Sequence, residues 1–158
     1  MPEMERIKEQ MTRAFKAEAW CGSSLQEALN GVTAERAAAR PVANAHSIWE
    51  IVLHVAAWKG AISQRLTGQH VALPDEGDWP AVAGTSPAAW QETLTLLEER
   101  HAQLRSIVES LTDAQLDDFI GREQDRTTGG GVTHYITLHG VLQHDLYHAG
   151  QIAILKKA

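Results

Sequence analysis

The feature that most constrains the fold is the spacing of apolar residues, which recur at alternating intervals of three and four in the third quarter of the chain. The side chains with this spacing are Trp90, Leu94, Leu97, His101, Leu104, Val108 and Leu111. Such an interval places side chains on one face of an α-helix and is typical of the contact line between packed helices. Ser86 and Pro87 precede it, and a proline suits the first helical position. We therefore predict a long helix of a helical bundle that starts at Ser86.

Two further helices are predicted before this one. The first runs from about Pro2 to Asn30, and the glycine and serines at 22–24 predict a kink or a break within it. The second runs from about Ser47 to Thr67. It begins with a capping box, in which the side chains of Ser47 and Glu50 each bond the other's backbone N–H.

The last helix is predicted from about Thr133 to Lys157 and is apolar on nearly every side, which is typical of a buried helix. One of its faces carries Leu138, Leu142, Leu146 and Ala153. We expect this face to contact either another helix or a partner chain. A short helical turn is predicted at 113–118, and loops are predicted at 68–85 and 119–132. The first loop carries Trp79, which either covers a pocket or packs on the surface. Together these elements predict an all-α fold.

The composition limits the location and the partners. At 158 residues, 44% of them hydrophobic, the chain suits one domain over residues 1–158. Its net charge of -6 repels phosphates and anionic lipids, so we expect neither a nucleic-acid nor a membrane partner. The charged start lacks the apolar run of a signal peptide, and no stretch approaches the roughly 20 apolar residues of a membrane span. The one cysteine, Cys21, fits a reducing compartment, so we predict a cytoplasmic protein.

Three histidines are candidate metal ligands. His144 and His148 are four residues apart on the last helix, which places their Cβ atoms about 5–6 Å apart on one face. A structural pair, with each ring bonded to a carbonyl, is the alternative. Gln151 follows one turn later and orients a ligand or is simply a polar neighbour. His54 lies on the apolar face of the second predicted helix, where a lone histidine is more often structural. In a bundle, however, metal sites are formed by facing helices, and three protein ligands leave open positions on the metal.

Three segments carry a resemblance to a known family: WCGSSLQEALNGVTAERA (20–37), HSIWEIVLHVAAW (46–58) and HGVLQHDLYHAGQIAILKK (139–157). They resemble the DinB-like family, the damage-inducible four-helix-bundle metalloproteins. The resemblance implies an antiparallel four-helix bundle, often a homodimer. It also implies a divalent transition metal, nickel, zinc or iron, held by His54, His144 and His148.

The resemblance also guides the expected reaction, since relatives include thiol S-transferases and a mycothiol-dependent maleylpyruvate isomerase. We expect a metal-dependent transferase that uses a low-molecular-weight thiol and a small-molecule substrate. A metal-dependent hydrolase is the first alternative. It would need a carboxylate base, for which Glu50 is occupied by capping and Glu18 is a weak candidate. A non-catalytic metal-binding stress-response protein is the second alternative, and purely structural histidines are the third.

The remaining candidates each have a structural alternative that we favour. His101 either contacts substrate or belongs to the core. Trp58 either walls a pocket or packs, and Tyr147 either donates a proton or packs. Arg65 either meets an anionic substrate or forms an exposed salt bridge, and Cys21 is expected to be a buried, inert thiol. Four histidines are predicted not to be ligands: His46, His70, His134 and His139.

Overall fold

The structure, a computed structural model, describes residues 1–121 and 131–158. The helices are α1 (Glu3–Phe15), α2 (Leu25–Leu29), α3 (Ala34–Ala38), α4 (Ile48–Leu66), α5 (Pro87–Glu109) and α6 (His134–Leu155). A 3-10 turn spans Asp113–Gln115, within the predicted helical turn. Two short strands, β1 (Phe119–Ile120) and β2 (Val132–Thr133), pair antiparallel. The predicted all-α fold is confirmed.

The four long helices, α1, α4, α5 and α6, pack against one another as a bundle. Helices α4 and α6 run in opposite directions, because His54 lies beside His148 whereas Lys59, further along α4, bonds the earlier residue Asp145. Helices α1 and α5 are also antiparallel. Phe15 at the end of α1 stacks on His101, and the carbonyl of Lys8 accepts a bond from Arg105.

Helices α4 and α5, in contrast, run in the same direction. Near the start of both, Trp49 Nε1 donates to Thr93 Oγ1 at 2.9 Å. Further along both, Gly60 lies so close to the Arg100 side chain that a Cβ would be 3.0 Å from Nη1. Neighbouring parallel helices need a crossover connection, so residues 67–86 must return along the bundle. This explains why the predicted loop at 68–85 is long.

The prediction of one helix from Pro2 to Asn30 is wrong beyond Phe15, where α1 ends. Glu18 and Gly22 adopt positive φ angles of 66° and 145°, which interrupt the helix. Ser24 then caps α2 with a second capping box, so the predicted break at 22–24 is observed. Helix α3 was not predicted. It has five residues, too few for a periodic pattern to identify.

Local start signals were predicted correctly for α4 and α5. Ser47 Oγ accepts from Glu50 N at 3.2 Å, and Ser47 N donates to Glu50 Oε2 at 2.7 Å. At the start of α5, Ser86 Oγ accepts from Ala89 N at 3.1 Å, with Pro87 in the first turn. The second predicted loop is only partly a loop, because its ends form β1 and β2. Its central residues 122–130, including Gly129 and Gly130, lie outside the described part of the chain.

Helix α6 packs against α1, and Leu138 and Leu142, with Leu146 packed beside them, belong to one core cluster with Met4 and Ile7 of α1. The face of α6 that carries these leucines was predicted to contact either another helix or a partner chain. For these three leucines the contact is with another helix. The side of α6 that faces outward carries Ile136, Tyr147 and Ile154, which are 56%, 65% and 66% exposed. Within residues 1–121 and 131–158, no helix is long and apolar enough to cross a membrane.

Candidate metal centre

The structure brings the three predicted ligands together between α4 and α6. Nε2 of His144 lies 3.0 Å from Nε2 of His54 and 3.1 Å from Nε2 of His148. One ligand atom from each ring lies within 4.8 Å of the others. Imidazole nitrogens bound to one ion at about 2.0–2.1 Å would lie about 3 Å apart, so the cluster could hold a metal ion.

The second nitrogens of two of these rings are held by oxygen atoms. His54 Nδ1 is 2.6 Å from the backbone oxygen of Asp78, and His148 Nδ1 is 2.6 Å from Gln151 Oε1. Carbonyl oxygens only accept hydrogen bonds, so each Nδ1 must be the protonated donor. Each Nε2 then presents a free lone pair to the centre of the cluster, which is the tautomer that a metal requires.

The surroundings keep these imidazoles neutral. Burial, followed by the neighbouring His148 and His54, lowers the pKa of His144 to about 3. Burial likewise lowers the pKa of His148 to about 4, although the bond to Gln151 opposes this shift. The pKa of His54 is also lowered, again mainly by burial. Because the neutral ring is the form that binds a cation, the donor set fits a divalent transition metal.

The long connection between α4 and α5 covers one side of the cluster. Trp79 stacks on His54 with 4.0 Å between ring centroids, and His46 stacks on Trp79 at 3.6 Å. The preceding residue, Asp78, accepts a bond from Trp58 Nε1 at 2.7 Å through its carboxylate. Trp79 is therefore part of the cluster's cover as well as of the surface, and Trp58 helps to hold that cover.

Two cavities adjoin the cluster. One, the His144 cavity, has a volume of about 260 Å³ and lies between α4 and α6, with Trp58 and Arg65 in its wall. The other, the His148 cavity, has a volume of about 380 Å³ and lies beside Trp79 and Tyr147. A ligand could therefore approach the three histidines from either side.

A buried ion pair that was not predicted from the sequence lies next to the cluster. Lys59 Nζ lies 2.7 Å from Asp145 Oδ2, and the two side chains are only 2% and 3% exposed. Burial raises the pKa of Asp145, and the Lys59 ammonium offsets part of that rise. The signal was present, since Lys59 interrupts an apolar run on α4 and Asp145 directly follows His144.

Other predicted candidates lie away from the three histidines. His101 is buried in the core, where it stacks on Phe15 at 3.5 Å, as the favoured alternative proposed. Neither candidate for a general base is free. Glu50 accepts bonds from Ser47 and Arg40, and the exposed Glu18 is near Arg13.

Two expectations about surface residues were wrong. Arg65 donates to the backbone oxygens of Val71 and Ala72, at 2.7 and 2.9 Å, and forms no salt bridge within the described residues. Cys21 is exposed, as are most residues of the segment between α1 and α2. Tyr147 is mostly exposed beside His148, on the outer side of α6.

The fold and the cluster define a helical-bundle protein with a three-histidine group that could hold a metal ion. A family model described as the DinB superfamily matches residues 19–152, which is most of the chain. The protein therefore belongs to the DinB superfamily, as the resemblance in sequence implied. No curated protein and no solved structure matches the chain.

Proposed function

We propose that the protein is a metal-dependent enzyme that binds one divalent transition metal through Nε2 of His54, His144 and His148. The convergence of three Nε2 atoms, two of them on rings whose Nδ1 atoms donate to carbonyl oxygens, is the observation that supports this most directly. Nickel or zinc suits such a donor set best, and iron is also compatible.

Thiol-dependent transfer is the reaction that the surroundings favour. A divalent metal held by three neutral ligands would lower the pKa of a small-molecule thiol and so supply a nucleophile. The chain's own residues provide the rest of the site. Asp78 and Gln151 orient the ligands, and the two cavities provide separate approaches for a thiol and for its small-molecule substrate.

Hydrolysis is the second candidate reaction, and no specific contact favours it. A hydrolase would need a carboxylate near the metal to act as a base. Among the described residues near the cluster, Asp145 is paired with Lys59. The Asp78 carboxylate accepts a hydrogen bond from Trp58. It lies 3.4 Å from His54 Nδ1, on the side of this ring that faces away from the centre of the cluster. A metal-binding protein without catalytic activity is the remaining alternative.

Metal content tests the central proposal. Purified protein, dialysed against nickel or zinc and then against metal-free buffer, should retain about one ion per chain by elemental analysis. His148→Ala should retain much less, because two imidazoles bind a cation far more weakly than three. His70→Ala, which removes an exposed histidine, should bind as the wild type does. A wild type that retains no metal, or a His148→Ala variant that retains all of it, would show that the proposal is wrong.

A thiol-transfer assay separates the enzyme from the non-catalytic alternative. Wild-type protein should transfer at least one of a panel of small thiols to an electrophile. This activity should disappear with a chelator and return with metal. Stoichiometric metal without transfer across the panel would instead support a metal-binding protein.

The assembly belongs to the same proposal. We propose that residues 1–158 form one domain, that two copies form a homodimer and that the protein acts in the cytoplasm. Support for the dimer comes from the outer side of α6, where Ile136, Tyr147 and Ile154 leave apolar surface exposed.

A further inference from the structure

The His144 cavity has chemically different ends. One end is formed by His144 itself, and the wall continues along α4 and α6 to Arg65 and Thr137. Because α4 and α6 are antiparallel, with Lys59 opposite Asp145, the six residues from Lys59 to Arg65 rise about 9 Å, and the eight from Asp145 back to Thr137 about 12 Å. Arg65 and Thr137 therefore lie at similar levels, at the end of the cavity away from the histidines.

Among the described residues, the charges of the cavity wall leave one cation, Arg65, without a paired carboxylate. Lys59 and Asp145 form an ion pair, so together they add no net charge. Arg65 Cζ lies 5.3 Å from the ring of Trp58, and its Nε and Nη2 donate to backbone oxygens. No carboxylate in the described part of the chain pairs with it. Burial lowers the pKa of this guanidinium, and an anionic partner would offset that cost.

A second polar group at the same end has no hydrogen-bond partner among the residues that the structure describes. The Thr137 side chain lines the cavity and is only 9% exposed. Its Oγ1 is buried without a hydrogen bond within the described structure, so a ligand in the cavity would reach it after rotation of the side chain about χ1. A buried hydroxyl without a partner is uncommon and commonly marks a site for a ligand or an ordered water. Between this end and His144 the wall includes the apolar Ile62 and Val141 and the ion pair of Lys59 and Asp145.

We propose that the His144 cavity binds a small organic acid, whose carboxylate is held by Arg65 and Thr137 and whose apolar chain extends toward His144. A guanidinium matches a planar carboxylate with paired hydrogen bonds, and the threonine hydroxyl supplies another donor. The volume of about 260 Å³ limits the ligand to a short molecule. This inference extends the proposed function, since it gives the substrate class at the metal centre.

Calorimetric titration of the metal-free and metal-loaded protein with hexanoate tests this inference. Hexanamide has the same chain without the charge and should bind much more weakly to the wild type. Arg65→Gln should weaken hexanoate binding about tenfold to a hundredfold, because a charged hydrogen-bond partner is lost. It should leave hexanamide binding and metal content unchanged. Thr137→Val should weaken hexanoate binding by a smaller factor, about threefold to tenfold.

A control is needed because Arg65 also holds the connection after α4. Arg100→Gln is matched, since Arg100 bonds Glu76 of the same connection at 2.7 Å and lies outside the His144 cavity. It should bind hexanoate as the wild type does. If Arg65→Gln disturbs the fold by circular dichroism, Arg65→Lys serves instead, and it should bind hexanoate with intermediate affinity.

The two proposals fail in different ways. If the wild type binds hexanoate in neither state, or if hexanoate and hexanamide bind equally, the assigned ligand class is wrong. Equal loss in Arg65→Gln and Arg100→Gln would also overturn it. Hexanoate binding to a protein that retains no metal would uphold this cavity and refute only the metal centre.

Discussion

His148 uses both of its ring nitrogens, one toward the cluster and one toward Gln151 Oε1 at 2.6 Å. Gln151→Leu removes the acceptor that fixes the tautomer and the orientation of this ring. We expect metal affinity to fall about tenfold to a hundredfold, the usual effect of removing such a partner. Competition with a chromogenic chelator measures the change. Gln151→Glu retains an acceptor and should lose much less, whereas unchanged affinity in Gln151→Leu would refute this role.

The candidate metal site was only partly predictable at the level of single residues. The pair His144 and His148 follows from helical spacing alone. His54 lies 90 residues from His144 in sequence, so its place beside them depended on the family resemblance. The acceptor for its Nδ1 is a backbone oxygen of Asp78. The identity of a residue does not predict a contact made by its backbone. This contact depends on the path of the connection after α4.

Lys59 and Asp145 connect the two helices that carry the proposed metal ligands. Asp145 lies between His144 and His148 on α6, and Lys59 lies just over one turn beyond His54 on α4. Lys59→Met leaves a buried carboxylate without its partner, and Asp145→Leu leaves a buried ammonium. Each should lower the free energy of unfolding by about 3–5 kcal/mol, measured by urea denaturation at neutral pH.

The double variant Lys59→Met, Asp145→Leu separates the effect of the ion pair on the alignment of α4 and α6 from its effect on the stability of the fold. It buries no unpaired charge, so most of the stability should return. Its metal affinity should remain below that of the wild type, because apolar contact does not fix the axial position of α4 against α6. As a control, Arg100→Gln breaks an exposed pair and should cost at most about 1 kcal/mol. Single variants that cost no more than this control would contradict the prediction.

At the level of elements, local signals were the reliable ones. The capping serines at 47 and 86 interact within four residues, so the sequence contains both partners. Helix α3 and the paired strands are stabilised by contacts with distant segments. Such contacts leave no periodic pattern in five residues or in two.

On the scale of the whole molecule, the direction of the helices determines what covers the cluster. Because α4 and α5 are parallel, their connection returns along the bundle and places Asp78 and Trp79 against His54. Periodicity predicted α4, α5 and α6, and the glycines and prolines of residues 68–85 predicted the long loop. Periodicity could not predict the direction of the helices, since an apolar face has the same spacing in either orientation.

The proposed homodimer can be tested on the outer side of α6. Six positions there, Ile136, Gly140, Gln143, Tyr147, Gly150 and Ile154, repeat at intervals of four and three, the spacing of a helix-packing face. Among the described residues, a Cβ on Gly140 or Gly150 would meet no atom outside the nearby backbone of α6 within 4 Å, so a second helix could approach closely. Sedimentation equilibrium should give twice the mass of the chain for the wild type and the mass of one chain for Ile154→Glu, because a buried carboxylate would oppose association.

Leu73→Glu places the same charge on a side chain that is 58% exposed in the connection after α4, and this variant should remain dimeric. A monomeric wild type, or an Ile154→Glu variant that still dimerises, would exclude this face as the interface.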